Sequence, residues 1–332
     1  MKSSRSALPL WGLPLVGLAG LLWLSLFSFS PIPVAPLEAL QALLAPKNPS
    51  LAQALVLNLR LPRSLVAIAL GASLALSGAL LQILTHNPLA SPSLLGINSG
   101  AALAMSLTSA FSPAPLAGYS LAFIAACGGG VSWLLVMAAG GGWRQELDRN
   151  RLILAGIALS ALCMALTRVT LLLAEDHAYG ILYWLAGGVS HVRWPEFWQL
   201  FPFAALIIPG VFLLAHSLNL LHVGDSAAHS LGVNLSRLRL LINAAVLLLT
   251  GACVSVAGPV AFIGLLVPHL ARLWVGQDCR VLLPMAGLLG GIFMLLADIL
   301  ARALAWPGEL PAGAVLALVG APCFVWLVRR RG

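Results

Sequence analysis

Ten apolar runs follow one another along this chain, at roughly 10–29, 64–84, 93–111, 117–139, 151–174, 195–215, 240–257, 262–275, 281–300 and 311–328. Most reach the ~20 residues that a helix needs to cross the hydrocarbon core of a bilayer. The pieces between them are short. In a chain of 332 residues they leave no room for a soluble domain, so 1–332 reads as one all-α polytopic membrane domain. Composition agrees, with 60% hydrophobic and only 8% charged residues, against ~25% charged in a soluble domain. The 32 Gly and 21 Pro suit closely packed, interrupted membrane helices. Lys2 and Arg5 precede a run from Leu8 to Phe29 that is too long for a signal-peptide core, so it is expected to stay as the first span.

The charges orient these spans. With a cytoplasmic N-terminus, Lys2, Arg5, Arg144, Arg149, Arg151, Arg237, Arg239, Arg272, Arg280 and Arg329 to Arg331 fall on the cytoplasmic side. Lys47, Arg60, Arg63, Arg193 and Arg302 fall outside. This obeys the positive-inside rule, and an even number of spans places both termini in the cytoplasm. The net charge of +8 does not point to nucleic acid, because the basic residues lie in short clusters between apolar runs and not in a continuous block. The lipid bilayer is the expected surrounding.

Enzyme chemistry finds little support. The only lysines are Lys2 and Lys47, and no G-x-x-x-x-G-K-[ST] phosphate loop is present. Any ATP-driven work therefore needs ATP and Mg on another chain, and this one needs no cofactor. Seven histidines contain no H-E-x-x-H, and five cysteines contain no CxxC, so no metal site, disulfide or catalytic residue is expected. Ser77–Gly78 and Ser99–Gly100 raise an intramembrane serine protease as a distant rival, but G-x-S-x-G is absent and close helix packing explains both serines. A channel would need a ring of charges, and the acidic residues are scattered.

Charges inside apolar runs are costly and therefore informative. Asp298 and Arg302, four apart on one helix, are placed to pair. Arg168 lies 17 residues after Arg151, about 25 Å along a straight helix. That puts it near the outer mouth, where two readings stand: it snorkels to the interface, or it faces a pathway and attracts an anion, with Thr167 and Thr170 offering hydroxyls. Two connections are more than linkers. Residues 175–194 fit a re-entrant or interfacial helix. In 217–239, the longest cytoplasmic connection, Asp225 is a candidate N-cap, Ala227 to Leu231 a short helix and Gly232 its stop.

The stretch 58–100 carries the most specific pattern: RLPR, then GASLALSGALLQ, then NPLASPSLLGINSGA. It resembles the permease subunits of bacterial type II ABC importers for iron–siderophores and cobalamin. The likeness continues through LILAGIALSALC, YWLAGGVS, SVAGPVAFIGLLVPHLAR, LLADILARAL and ELPAGAVLALVGAPCFVWLVRRR. Within that family the chain looks like the ferric dicitrate permease subunits; carriers of other iron–siderophores, heme or cobalamin are the alternatives. The resemblance implies about ten transmembrane helices in the cobalamin-permease-like fold, placed in the bacterial inner membrane. It implies a second permease subunit, often a paralogue, two cytoplasmic ATPase subunits and a periplasmic substrate-binding protein. Arg60, Arg63 and Arg302 match an outer basic patch that meets acidic residues of the binding protein. Residues 224–239, with Gly224, Asp225, Ala228, Leu231 and Gly232, match the ATPase coupling segment. Asn87 and Leu89 match a cytoplasmic gate together with Arg149 and Asn150, where relatives carry small hydroxyl residues and this chain does not. Arg168 draws no support from the family pattern.

Overall fold

A computed structural model describes residues 7–30, 32–44, 50–111, 120–141 and 149–329. Lys2, Arg5, Lys47, Arg144, Arg330 and Arg331 lie outside the described residues, as do the side chains of Arg149 and Ala227. Every regular element among the described residues is helical. In chain order they begin with α1 (Ala7–Phe27), α2 (Pro36–Leu44), α3 (Leu51–Leu55), a π-turn (Val56–Arg60) and α4 (Leu61–Thr85). A 3₁₀ turn (Pro92–Leu95), α5 (Ile97–Phe111), α6 (Leu121–Gly140), α7 (Arg149–Leu173) and α8 (Glu175–Leu185) follow. The chain continues with α9 (Trp194–Leu213), α10 (Ala215–Val223), α11 (Asp225–Ser230) and α12 (Leu235–Ala257). It ends with α13 (Ile263–Val275), α14 (Cys279–Ala305) and α15 (Ala312–Arg329).

Each expected span has a helix, and the segment expected to form a re-entrant or interfacial helix is α8. Among the described residues, seven helical stretches are long and apolar enough to cross a membrane, while α13 and the Ala312–Val325 part of α15 are shorter apolar helices. The expected span 93–111 is divided, because Pro92 and the left-handed Gly96 set off a separate turn before the 15 residues of α5. With 13 residues, α13 rises only ~20 Å and starts inside the protein, after a turn in which Phe262 has φ +68.

Between α1 and α4, the described residues of a proline-containing connection form α2, α3 and the π-turn. Ser50 and Gln53 form a reciprocal capping box at the start of α3, which satisfies two orphan N–H groups. Helix then runs unbroken from Leu51 to Thr85. Pro62 has no N–H to donate four residues back, and the π-turn just before it absorbs the missing bond.

The fold is built around α4. Nearly every side chain from Pro62 to Thr85 is buried, and α9, α12, α13 and α14 pack on it. Small residues set these contacts. A Cβ on Gly71 would run into the carbonyl of Gly290 in α14, and one on Gly78 into the carbonyl of Gly264 in α13. Backbones that touch in this way gain van der Waals contact over their whole length, which lipid-facing Leu and Ile cannot supply between helices. The two ends of α4 define the two functional ends of the molecule. The Arg63 end also holds the C-terminal ends of α1 and α14. There α8 is stitched to its neighbours, Gly188 N donating to Ala257 O at 2.8 Å and Gly313 N to Gly187 O at 3.0 Å. The His86 end holds α10 and the start of α14.

Candidate functional site

At the Arg63 end, the three arginines of the expected outer patch come together, but inside the protein. Arg60 and Arg63 are each 4% exposed and Arg302 1%. Arg63 Nε and Nη2 both reach Asp298 Oδ1, at 2.9 and 2.8 Å, and its Nη1 donates to Glu309 Oε1 and Oε2 at 2.8 and 2.9 Å. Arg302 Nη2 lies 3.2 Å from Asp298 Oδ2, which is the expected pairing within α14. Arg302 also donates to the Ser25 and Ser28 carbonyls and to Ser25 Oγ. Arg60 Nη2 donates to Phe29 O at 3.1 Å, while its Nη1 is buried without a partner. The open patch expected from the sequence is thus corrected to an ion-pair cluster that clamps α1, α4, α14 and the segment before α15. The physical reason is that charges can leave water only when paired, and Asp298 and Glu309 sit where that pairing is possible. Three guanidiniums face two carboxylates, so the cluster keeps a positive excess.

A cavity of about 410 Å³ opens between α5, α7 and α8, and Arg168 lies on its wall. Ser93, Asn98, Ser99, Ser160 and Thr167 supply further polar groups, and Met164, Leu171, Leu182, Leu185 and Pro259 the apolar remainder. Arg168 is exposed. Asn98 Oδ1 and Ser160 Oγ are buried atoms with no partner among the described residues. Polar atoms left open in an apolar wall are costly unless a ligand or water meets them. The expected help from threonine hydroxyls is corrected: Thr167 Oγ donates to Cys163 O and Thr170 Oγ to Leu166 O, each at 2.9 Å. Those hydrogens are spent on the helix backbone, and Thr170 does not line the cavity. A cavity of about 350 Å³ adjoins α8 from the Arg63 end, lined in part by Tyr183, Ser190 and His191.

At the His86 end lie the residues read as coupling segment and gate. Gly224 precedes α11 with φ +141. Asp225 is the first residue of that helix and not its N-cap, because Ala228 N donates to Gly224 O one position earlier. The Asp225 carboxylate instead pairs with Arg239 of α12 at 3.0 Å. Ala228 is buried and Leu231 is 66% exposed. Gly232 stops the helix with φ +84, where a Cβ would be strained. In the turn after α4, Asn87 Oδ1 accepts from Leu89 N at 2.9 Å, a local turn that asparagine favours. Leu89 is exposed, as is Asn150 one residue into α7, which Arg149 opens.

No sequence pattern marks the contacts that tie α10 to α14. Asn219 Nδ2 donates to Asp278 Oδ1 at 2.7 Å, and Cys279 N donates to Asn219 Oδ1 at 2.8 Å. Asp278 also accepts from Arg280 N and so caps α14. The Asn219 amide, followed by the Arg280 N–H, holds the Asp278 carboxyl below its usual range, because both donors favour the charged form. This carboxylate therefore stays ionised at neutral pH and supports the cap there; the support is lost only as pH falls through its lowered pKa. Arg280 reaches His216 of α10 at 2.9 Å. Among the described residues no group of His, Cys, Asp and Glu is arranged to hold a metal ion.

Comparison with known proteins places this architecture. Residues 17–330 match the FecCD transport family. The chain is 71% identical over 332 residues, all of both chains, to the Fe(3+) dicitrate transport system permease protein FecC of Escherichia coli (strain K12). It is 42% identical over 283 residues, 83% of each chain, to the hemin transport system permease protein HmuU of Yersinia pestis. Among solved structures, a metal-chelate type ABC transporter in an inward-facing conformation superimposes with TM-score 0.82 at 31% identity, covering 97% of this chain and 99% of that one. With nearly full-length matches in sequence and in three dimensions, the chain belongs to the FecCD transport family.

Proposed function

We propose that this chain is the permease subunit of an ATP-driven importer that carries a ferric chelate, iron(III) dicitrate, from periplasm to cytoplasm across the bacterial inner membrane. The observation that carries this reading is the 71% identity to a dicitrate permease over both full chains, set against 42% to a hemin permease. The chain transports and does not catalyse. ATP and Mg belong to two cytoplasmic ATPase subunits, which dock on residues 224–239 around the exposed Leu231. A second permease chain, a paralogue, lines the other half of the pathway. A periplasmic binding protein delivers the chelate at the Arg63 end, where the positive excess of Arg60, Arg63 and Arg302 over Asp298 and Glu309 favours acidic partners. Asn87 and Leu89, with Arg149 and Asn150, form the cytoplasmic gate, and both termini are cytoplasmic.

Arg168 gives the pathway its selectivity for anions. A ferric citrate complex presents carboxylates, and a guanidinium fork bonds both oxygens of one. Its position on the wall of a largely apolar cavity strengthens that attraction relative to water. Arg168→Gln is expected to lower ferric dicitrate uptake about tenfold, the loss of one charge-assisted hydrogen bond of ~1.5 kcal/mol. Arg168→Lys, which keeps charge but not the fork, falls between. Radioiron uptake in cells lacking the endogenous permease measures this, with co-purification of the ATPase as the assembly control. Parental uptake by the Gln variant, or its failure to insert, would remove Arg168 from the pathway.

A further inference from the structure

His86 closes α4 in the left-handed region, at φ +50, immediately before the Asn87–Leu89 turn. Such backbone is uncommon for residues with a Cβ, and His is one of the few enriched there. The ring is held from one side by α10. Its Nε2 lies 3.2 Å from Leu221 O, and since a carbonyl only accepts, Nε2 carries the hydrogen. The ring also stacks on that of His222, with centroids 6.5 Å apart and planes 12° from parallel, within the range of favourable ring pairs. His222 Nε2 is in turn 2.9 Å from Gln277 Oε1, just ahead of α14.

The position of His222 gives these contacts a direction. It is the penultimate residue of α10, and Gly224, in an extended glycine conformation, joins α10 directly to α11. Asp225, the first residue of α11 and three positions after His222, pairs with Arg239 of α12, so the joint between α10 and α11 is tied to α12. A displacement of α11 that moves this joint is carried into the Leu221–His222 end of α10, which meets His86 through a hydrogen bond and a ring face. His86 has no slack of its own, because it is the last residue before the gate turn. We infer that His86 and His222 form a strap that transmits movement of the coupling segment to the Asn87–Leu89 gate, with His86 as a positioning residue. This rests on the proposed ATPase contact at 224–239.

The test uses the assembled permease pair with its ATPase and binding protein. Leu89→Cys, in a background with the exposed Cys127 and Cys323 replaced by serine, is labelled with a maleimide without nucleotide and after trapping with ATP and vanadate. The labelling rate of this parent differs between the two states. His86→Asn, which tolerates the left-handed backbone, and His222→Ala each shrink that difference about fivefold or more, while the ATPase still co-purifies. His222→Phe, which keeps a ring face, retains the parental difference. Parental behaviour in His86→Asn and His222→Ala, a parent without any difference, or loss of the ATPase from these variants would overturn the strap. So would a Phe variant as impaired as the Ala variant. Gly232→Val reports separately on the ATPase contact. If it uncouples while the histidine variants behave as the parent, the strap alone fails; if it couples normally, the contact reading fails.

Discussion

Asp298→Ala is expected to destabilise the protein by about 3–5 kcal/mol, the cost of removing one partner from a buried ion pair. Asp298 is fully buried, and its carboxylate faces the guanidiniums of both Arg63 and Arg302. Arg302 would keep its bonds to Ser25 and Ser28, but carbonyl dipoles do not neutralise a charge. Arg302 would be left buried with no carboxylate, and Arg63 would keep only Glu309. Glu309→Gln is the matched control, because the Glu309 side chain is 32% exposed and water can replace much of what it supplies. Its expected cost is below about 1 kcal/mol. Thermal unfolding of the purified variants in detergent separates the two. Equal effects would mean that Asp298 does not hold the cluster together.

A comparable loss is expected from a single methyl group at Gly78. Its Cβ would overlap the backbone carbonyl of Gly264, and neither α4 nor α13 has a flexible side chain there that could yield. The helices must separate, and that opens the buried contact on which α13, too short to span, depends. Gly78→Ala is expected to cost about 3 kcal/mol, the upper end of the range for overpacking. Gly251→Ala in α12 is the control, since a Cβ there meets nothing within 4 Å. It should be neutral or stabilising by up to about 1 kcal/mol, because alanine favours helix over glycine. Unfolding midpoints and the yield of monodisperse protein measure both. A tolerated Gly78→Ala would contradict the backbone-to-backbone packing described here.

What was legible in the sequence follows from what periodicity and spacing can encode. Helices announce themselves by apolar length, so the spans and α8 were readable. Contacts within one helix are also encoded by spacing, as with Asp298 and Arg302 four residues apart. Contacts between helices depend on how each is rotated about its axis, which a uniformly apolar run does not reveal. Arg63 and Asp298 are 235 positions apart, and nothing in RLPR or LLADILARAL pairs them. The arginines therefore read as free surface charge when they are in fact buried, with Arg63 and Arg302 paired to carboxylates. Asp225 shows a milder form of the same limit: its local sequence fits a cap, and only the fold brings Arg239 within 3.0 Å. Helix through Pro62 is not legible in the sequence, because proline ordinarily interrupts a helix and the compensating π-turn has no sequence signature. The position of Arg168 was estimated from helical rise alone, but its cavity is a property of three helices together.

Transport of a ferric citrate chelate is the function proposed for this chain. Its most direct test is ATP-dependent accumulation in proteoliposomes containing the permease pair and its ATPase, supplied with the cognate binding protein. Radioiron presented as ferric dicitrate should accumulate in the lumen only with ATP, and excess unlabelled ferric dicitrate should abolish it while hemin and cobalamin should not. Accumulation of hemin or cobalamin with no transport of ferric dicitrate would contradict the account.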